Sequence, residues 1–164
     1  MIDSLPDISP DDGEVIDWDV DGKLTMEDVD FHYVMRPDAK VLRGLSLEIP
    51  PKSVCALVGR SGGGKSTIVS LLMRFYDCRA GSLKLDGRDV AALNVKDYRR
   101  LFGIVAQDTP LFARSIRKNI AYGHPGADKD DADADEDLGK EVEAAASEAQ
   151  AHDFISEMKD AYQT

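Results

Sequence analysis

Gly59-Arg60-Ser61-Gly62-Gly63-Gly64-Lys65-Ser66 fits the pattern G-x-x-x-x-G-K-[ST]. Its surroundings give the match weight. Val54-Cys55-Ala56-Leu57-Val58 precedes it as a continuous apolar run, which predicts a central strand covered on both faces. Ile68, Leu71, Leu72 and Phe75 follow at helical spacing and predict one apolar helix face. Strand, glycine loop and helix in that order form a phosphate cradle. Glycines let backbone N–H groups converge on phosphate oxygens, and the helix N-terminus adds a positive dipole end. In such a loop Lys65 reaches the β- and γ-phosphates as a point charge. The Ser66 hydroxyl ligates Mg²⁺, and Thr67 supports the phosphate contacts.

Working outward, Leu24, Met26, Val29, Phe31 and Tyr33 alternate with one irregularity and predict a strand. Leu45, Leu47 and Ile49 predict a second strand with one wet face, ended by Pro50-Pro51. Leu83 and Leu85 lead into an Asp86-Gly87 turn. Tyr98 to Leu101 ends a short helix, and Gly103-Ile104-Val105-Ala106 reads as another buried strand running into Gln107. Ser115 caps a short helix to Tyr122. Val142, Ala145, Ala146 and Ala149 repeat the helical spacing, and Asp128 to Asp137 reads as an acidic loop insert. The expected organisation is an acidic flexible leader over 1–22, a core over 23–123, and an acidic insert with the start of a helical subdomain over 124–164.

The net charge of −11 is unevenly spread. Residues 1–30 carry 11 acids against 1 base, and residues 121–164 carry 13 against 3. Residues 31–120 carry 7 acids and 16 bases. A polyanionic ligand for the basic middle and simple balance of solvated flanks both account for this pattern. No apolar run approaches the ~20 residues needed to span a bilayer. The N-terminus has no basic and apolar signal-like start. Cys55 and Cys78 are too few for a disulfide framework. His32, His124 and His152 show no metal-ligand spacing.

From about Lys23 to Thr164 the chain resembles the nucleotide-binding domain of ATP-binding cassette (ABC) transporters, of the exporter type with a fused membrane domain. The resemblance rests on Val29-Asp30-Phe31-His32-Tyr33, Val41-Leu42-Arg43-Gly44-Leu45-Ser46-Leu47 and the glycine loop. It continues through Arg74-Phe75-Tyr76-Asp77, Gly81 to Gly87, Val105-Ala106-Gln107-Asp108, Leu111-Phe112, and Ser115 to Gly123. It implies an α/β fold: a P-loop NTPase (RecA-like) core with an antiparallel β-subdomain. It implies ATP and Mg²⁺ as ligands, held by Tyr33, Gly59, Ser61, Gly62, Gly63, Gly64, Lys65, Ser66, Thr67 and Gln107. Tyr33 would stack on adenine; an ordinary strand aromatic is the alternative. Gln107, 42 residues after Lys65, would sense the metal and the attacking water as the catalytic residue; a polar strand end is the alternative. Ser66 and Gln107 form the metal set. Arg36 sits where the family often has a basic residue near the nucleotide. Asp108 to Phe112 would meet the coupling helix of the membrane domain, although Leu111 and Phe112 could equally be core.

The sequence contains no L-S-G-G-Q signature and no apolar run ending in Asp-Glu, and Tyr162-Gln163-Thr164 resembles the stretch before that signature. The resemblance thus describes the front half of an exporter ATPase domain, truncated before the signature motif, that binds ATP and turns it over little by itself. Its implied partners are a membrane domain and a second nucleotide-binding domain, at the cytosolic or matrix face of a membrane, with no nucleic acid. Two alternatives stand beside it: a naturally short ATP-binding or docking module, and a soluble ABC ATPase outside transport.

Overall fold

The computed structural model describes residues 8–124 and 136–164. They fall into two compact units, Met1–Ile104 and Val105–Thr164. Most of the acidic insert lies outside the described residues; its last two, Glu136 and Asp137, open a helix.

The first unit is built on an antiparallel sheet of order β2-β1-β3-β4. β1 (Leu24–Phe31) pairs on one edge with β2 (Leu42–Ile49) and on the other with β3 (Ala80–Leu85). The irregularity in the β1 pattern is a bulge at Glu27 and Asp28, where both registers shift and Asp28 takes φ +46°. The extra residue lets Met26, Val29 and Phe31 all face the core. Asp86 and Gly87, both at positive φ, form the hairpin turn to β4 (Arg88–Asp89). Gly81, at φ +79°, lies against the bulge: a Cβ there would sit 2.3 Å from the Glu27 carbonyl oxygen.

Helix α1 (Lys65–Leu72) packs Ile68 and Leu71 onto this sheet. It ends sooner than the apolar spacing implies, and Phe75 is half exposed. The cause is Arg74, which takes φ +51° and turns its guanidinium inward. Buried, it donates to the carbonyls of Leu93 (2.6 Å) and Ala91 (2.8 Å) and pairs with Asp77. Helix α2 (Val95–Arg100), capped by Asn94, then serves the free carbonyls at the α1 C-terminus. Tyr98 donates to Leu72 at 2.7 Å, and Arg99 donates to Met73 and Arg74. Burial pushes the Tyr98 hydroxyl well above the ordinary phenol range, opposed by the nearby Arg74 charge. The folded chain therefore holds this proton after an unfolded tyrosine, near pH 10, has lost its own. Stability is full below about pH 10 and falls above it by up to ~1.4 kcal/mol per pH unit. Urea midpoints between pH 9 and 11 check this, and Tyr98→Phe should flatten that slope.

Two expectations are corrected. Val54–Val58 and Gly103–Ala106 are not strands; Val54, Val58 and Val105 are almost fully exposed. A parallel strand needs hydrogen-bonded neighbours on its flanks, and no described segment pairs with either run. The described sheet is therefore the antiparallel one alone. The described part of the leader is also not a free arm. Ile16, Trp18 and Val20 pack on the core, and Glu14 exchanges backbone hydrogen bonds with Ala92 and Asn94. Arg88 stacks 3.8 Å over the Trp18 ring. The Asp86 carboxylate accepts the N–H groups of Asp21, Gly22 and Lys23. Composition hides these contacts because Asp17, Asp19 and Asp21 lie on the wet side of the same segment.

The second unit holds α3 (Ile116–Ile120), α4 (Glu136–Glu148) and α5 (His152–Ser156). Leu138, Val142 and Ala146 line the buried face of α4, whereas Ala145 and Ala149 are exposed. Tyr162 joins the cluster of Ala121, Leu138 and Val142, with its hydroxyl 2.8 Å from His152 Nδ1. Among the described residues no helix is long and apolar enough to cross a membrane.

Candidate functional site

Gly64 makes the junction between loop and helix. It caps α1 at φ +83°, where the backbone favours glycine, and a Cβ would lie 3.0 Å from Leu42 Cδ2, which would have to shift by a few tenths of an ångström. The loop tightens on itself through Gly63 N–H to the Arg60 carbonyl at 3.1 Å, and the helical ladder starts with Ile68 N–H to Gly64 at 2.9 Å. No side chain caps the helix N-terminus, which leaves its first N–H groups directed at the loop. Lys65 folds back across the loop and donates to the carbonyls of Gly59 (2.9 Å) and Arg60 (2.8 Å). Its ammonium is thereby held at the mouth of the cradle and not extended into solvent.

Tyr33, Arg36, Ser61, Gly62, Gly63, Gly64, Lys65, Ser66 and Thr67 line one cavity of about 370 Å³, within the range of small-ligand sites. Tyr33 stands just beyond β1 and its hydroxyl lies 3.0 Å from Thr67 Oγ1. One hydrogen bond thus ties the aromatic wall of the cavity to the buried Thr67 in the first turn of α1. Ser66 is exposed beside it. A larger depression of about 560 Å³ is lined by His32, Phe75, Cys78 and Arg79 among others. It contains neither the glycine loop nor a helix N-terminus, both of which border the smaller cavity. Cys78 is half-buried there and its thiol is pushed up by burial first and by Asp77 next, which makes it a poor nucleophile.

Of the residues singled out in the sequence, Tyr33, Ser61 and Gly62 to Thr67 meet in this cavity, and Gly59 meets it through Lys65. Gln107 lies in the second unit, exposed, in a bend after the unpaired 103–106 run. Leu111 and Phe112 are exposed as well, at 79% and 48%, which favours a surface over a core placement. Sequence reasoning missed Asn119. Its side chain accepts from Phe112 N–H at 2.9 Å and its amide faces the carbonyls of Phe112, Arg114 and Ser115 at 3.1 Å each. It thereby fixes the loop that follows Gln107. The only signal was its place in the Ser115 to Gly123 run.

A glycine loop closing on a bare helix N-terminus, with a lysine folded over it, defines a phosphate-loop nucleotide-binding protein. A family model described as ABC transporter matches residues 42–163. ABC transporter B family member 3 of Dictyostelium discoideum is 46% identical over 143 residues, 87% of this chain and 9% of that protein. The mitochondrial potassium channel ATP-binding subunit of Mus musculus is 44% identical over 147 residues, 89% of this chain and 19% of its own. A solved bacterial Atm1-family ABC exporter with ATP bound superposes with a TM-score of 0.77 at 38% identity, covering 93% of this chain and 26% of its own. The chain belongs to the ABC transporter family and has the fold of its P-loop ATP-binding domain. It spans between 9% and 19% of the length of the curated relatives it matches.

Proposed function

We propose that this segment binds Mg-ATP as part of an exporter whose transport is powered by ATP. The observation that carries the reading is the convergence of Tyr33, the glycine loop and Lys65 on one cavity. The backbone N–H groups of the loop and helix receive the phosphates, Lys65 neutralises the outer ones, and Tyr33 supplies a flat apolar face for the base. Mg²⁺ fits the donor chemistry: the exposed Ser66 hydroxyl is a hard oxygen ligand of the kind this ion takes. Gln107 is proposed to act in turnover through its carboxamide, which orients a water by accepting its hydrogen bond. The ion, when bound, neutralises charge on the transferring phosphate. The whole protein is proposed to pair this domain with a membrane domain and a second nucleotide-binding domain, on the cytosolic or matrix side. The exposed Leu111 and Phe112 are the proposed contact with the membrane domain.

In the intact protein, Gln107→Ala should leave ATP affinity within about threefold while slowing steady-state hydrolysis by roughly a hundredfold, the usual scale for a lost polar contact to the reacting centre. Calorimetric titration and phosphate release measure the two. Wild-type turnover in the variant would remove Gln107 from the site.

A further inference from the structure

The Tyr33 ring is held on three sides. Its hydroxyl meets Thr67 Oγ1 at 3.0 Å. Phe31 stands perpendicular to it, with centroids 5.1 Å apart and planes at 85°. Tyr76 also stands perpendicular, at 5.3 Å and 88°. Tyr76 in turn touches Phe31 at 5.6 Å, so the three rings form a closed triangle. Two of its members have other work: Phe31 is buried in the sheet core, and Tyr33 lines the phosphate-loop cavity. Tyr76 lines the two neighbouring depressions instead of this cavity and is 42% exposed. Its position is set from elsewhere in the chain, since it follows Arg74, whose buried guanidinium is anchored to Ala91 and Leu93.

Beyond the end of β1 the backbone is held by turn hydrogen bonds, Arg36 N–H to the Tyr33 carbonyl among them, but the side chains of Val34, Met35 and Arg36 are exposed and give the Tyr33 ring no packing. A tyrosine at such a strand end samples several rotamers unless packing selects one. Perpendicular aromatic contacts select ring orientation because the positive edge of one ring meets the negative face of another. From this triangle we infer that Tyr76 is a positioning residue for base recognition: it braces the Tyr33 ring from outside the cavity and so pre-organises the platform on which the base of a nucleotide stacks. The inference rests on the proposed stacking role of Tyr33. Pre-organisation raises affinity by removing an ordering cost at the moment of binding. Tyr76 should therefore matter for ligands that carry a base and not for those that are phosphate alone.

The test compares ATP with inorganic tripolyphosphate, both with Mg²⁺, by calorimetric titration of the intact protein and its Tyr33→Ala, Tyr76→Leu and Tyr76→Phe variants. Tyr33→Ala should weaken ATP about tenfold or more, the worth of one base–aromatic stack, and weaken tripolyphosphate far less, through the lost hydroxyl contact with Thr67 alone. Tyr76→Leu should weaken ATP about two- to tenfold, the worth of one or two aromatic edge contacts, with tripolyphosphate unchanged. Tyr76→Phe, which keeps the ring, should restore ATP affinity. A Tyr76→Leu variant that loses both ligands equally would show a general packing role and overturn the inference. So would one that binds ATP normally while Tyr33→Ala does not. If Tyr33→Ala itself leaves the ratio of the two affinities unchanged, the stacking reading fails, and the role of Tyr76 goes with it.

Discussion

Lys65→Ala should lower Mg-ATP affinity by about a hundredfold or more in a calorimetric titration. Removing one partner of a hydrogen-bonded charge pair costs on the order of 2–5 kcal/mol, because the phosphate loses its nearest counter-charge. The fold should survive. Among the described residues the Lys65 ammonium bonds the Gly59 and Arg60 carbonyls alone, both on a loop with exposed residues on either side, and α1 is held by Ile68 and Leu71 on its other face. The unfolding midpoint should thus stay within about 2 °C of wild type while affinity falls, consistent with the loss of one surface-loop contact. Affinity within threefold of wild type would mean that the cavity beside Tyr33 is not the nucleotide site.

Gly81→Ala has the opposite signature: stability collapses and the phosphate loop is untouched. The added methyl would lie 2.3 Å from the Glu27 carbonyl oxygen and 2.5 Å from that of Asp28, both backbone atoms of the bulge, and φ is +79°. Neither atom can move without undoing the β1–β3 register, which shifts at this place. Backbone strain and overlap together cost about 3 kcal/mol or more, enough to lower the melting temperature by ~10 °C. Serine should behave like alanine, since the clash arises at the first carbon. An alanine variant that melts with wild type would show that the bulge relaxes freely.

The local features of the first unit were readable because each is written in neighbouring residues. Alternation gave β1 with its one irregularity, Asp86-Gly87 gave the hairpin, and the glycine pattern gave the cavity. What alternation does not contain is the identity of lateral partners. The apolar run Val54–Val58 reads as a strand covered on both faces, yet a strand exists only when another segment pairs with it, and such pairing is non-local. The same holds for Gly103–Ala106. Arg74 was visible only as part of a family resemblance, because nothing in the local pattern distinguishes an arginine that turns inward at positive φ from one that faces water. The leader was misread for the reverse reason. Its many aspartates suggested solvation, whereas the period-2 spacing of Ile16, Trp18 and Val20 was the signal that it lies on the core.

That last segment has a practical optical consequence. The chain has a single tryptophan, and Trp18 sits under the Arg88 guanidinium at 3.8 Å, a cation close enough to shift its emission. Intrinsic fluorescence excited at the indole band is therefore a gauge of whether residues 16–20 remain seated. Within this segment, emission at that wavelength reports the clasp formed by residues 16–20 and not the glycine loop, which holds no tryptophan. The two events can be separated by colour: the indole for the clasp, a labelled nucleotide for the loop beside Tyr33.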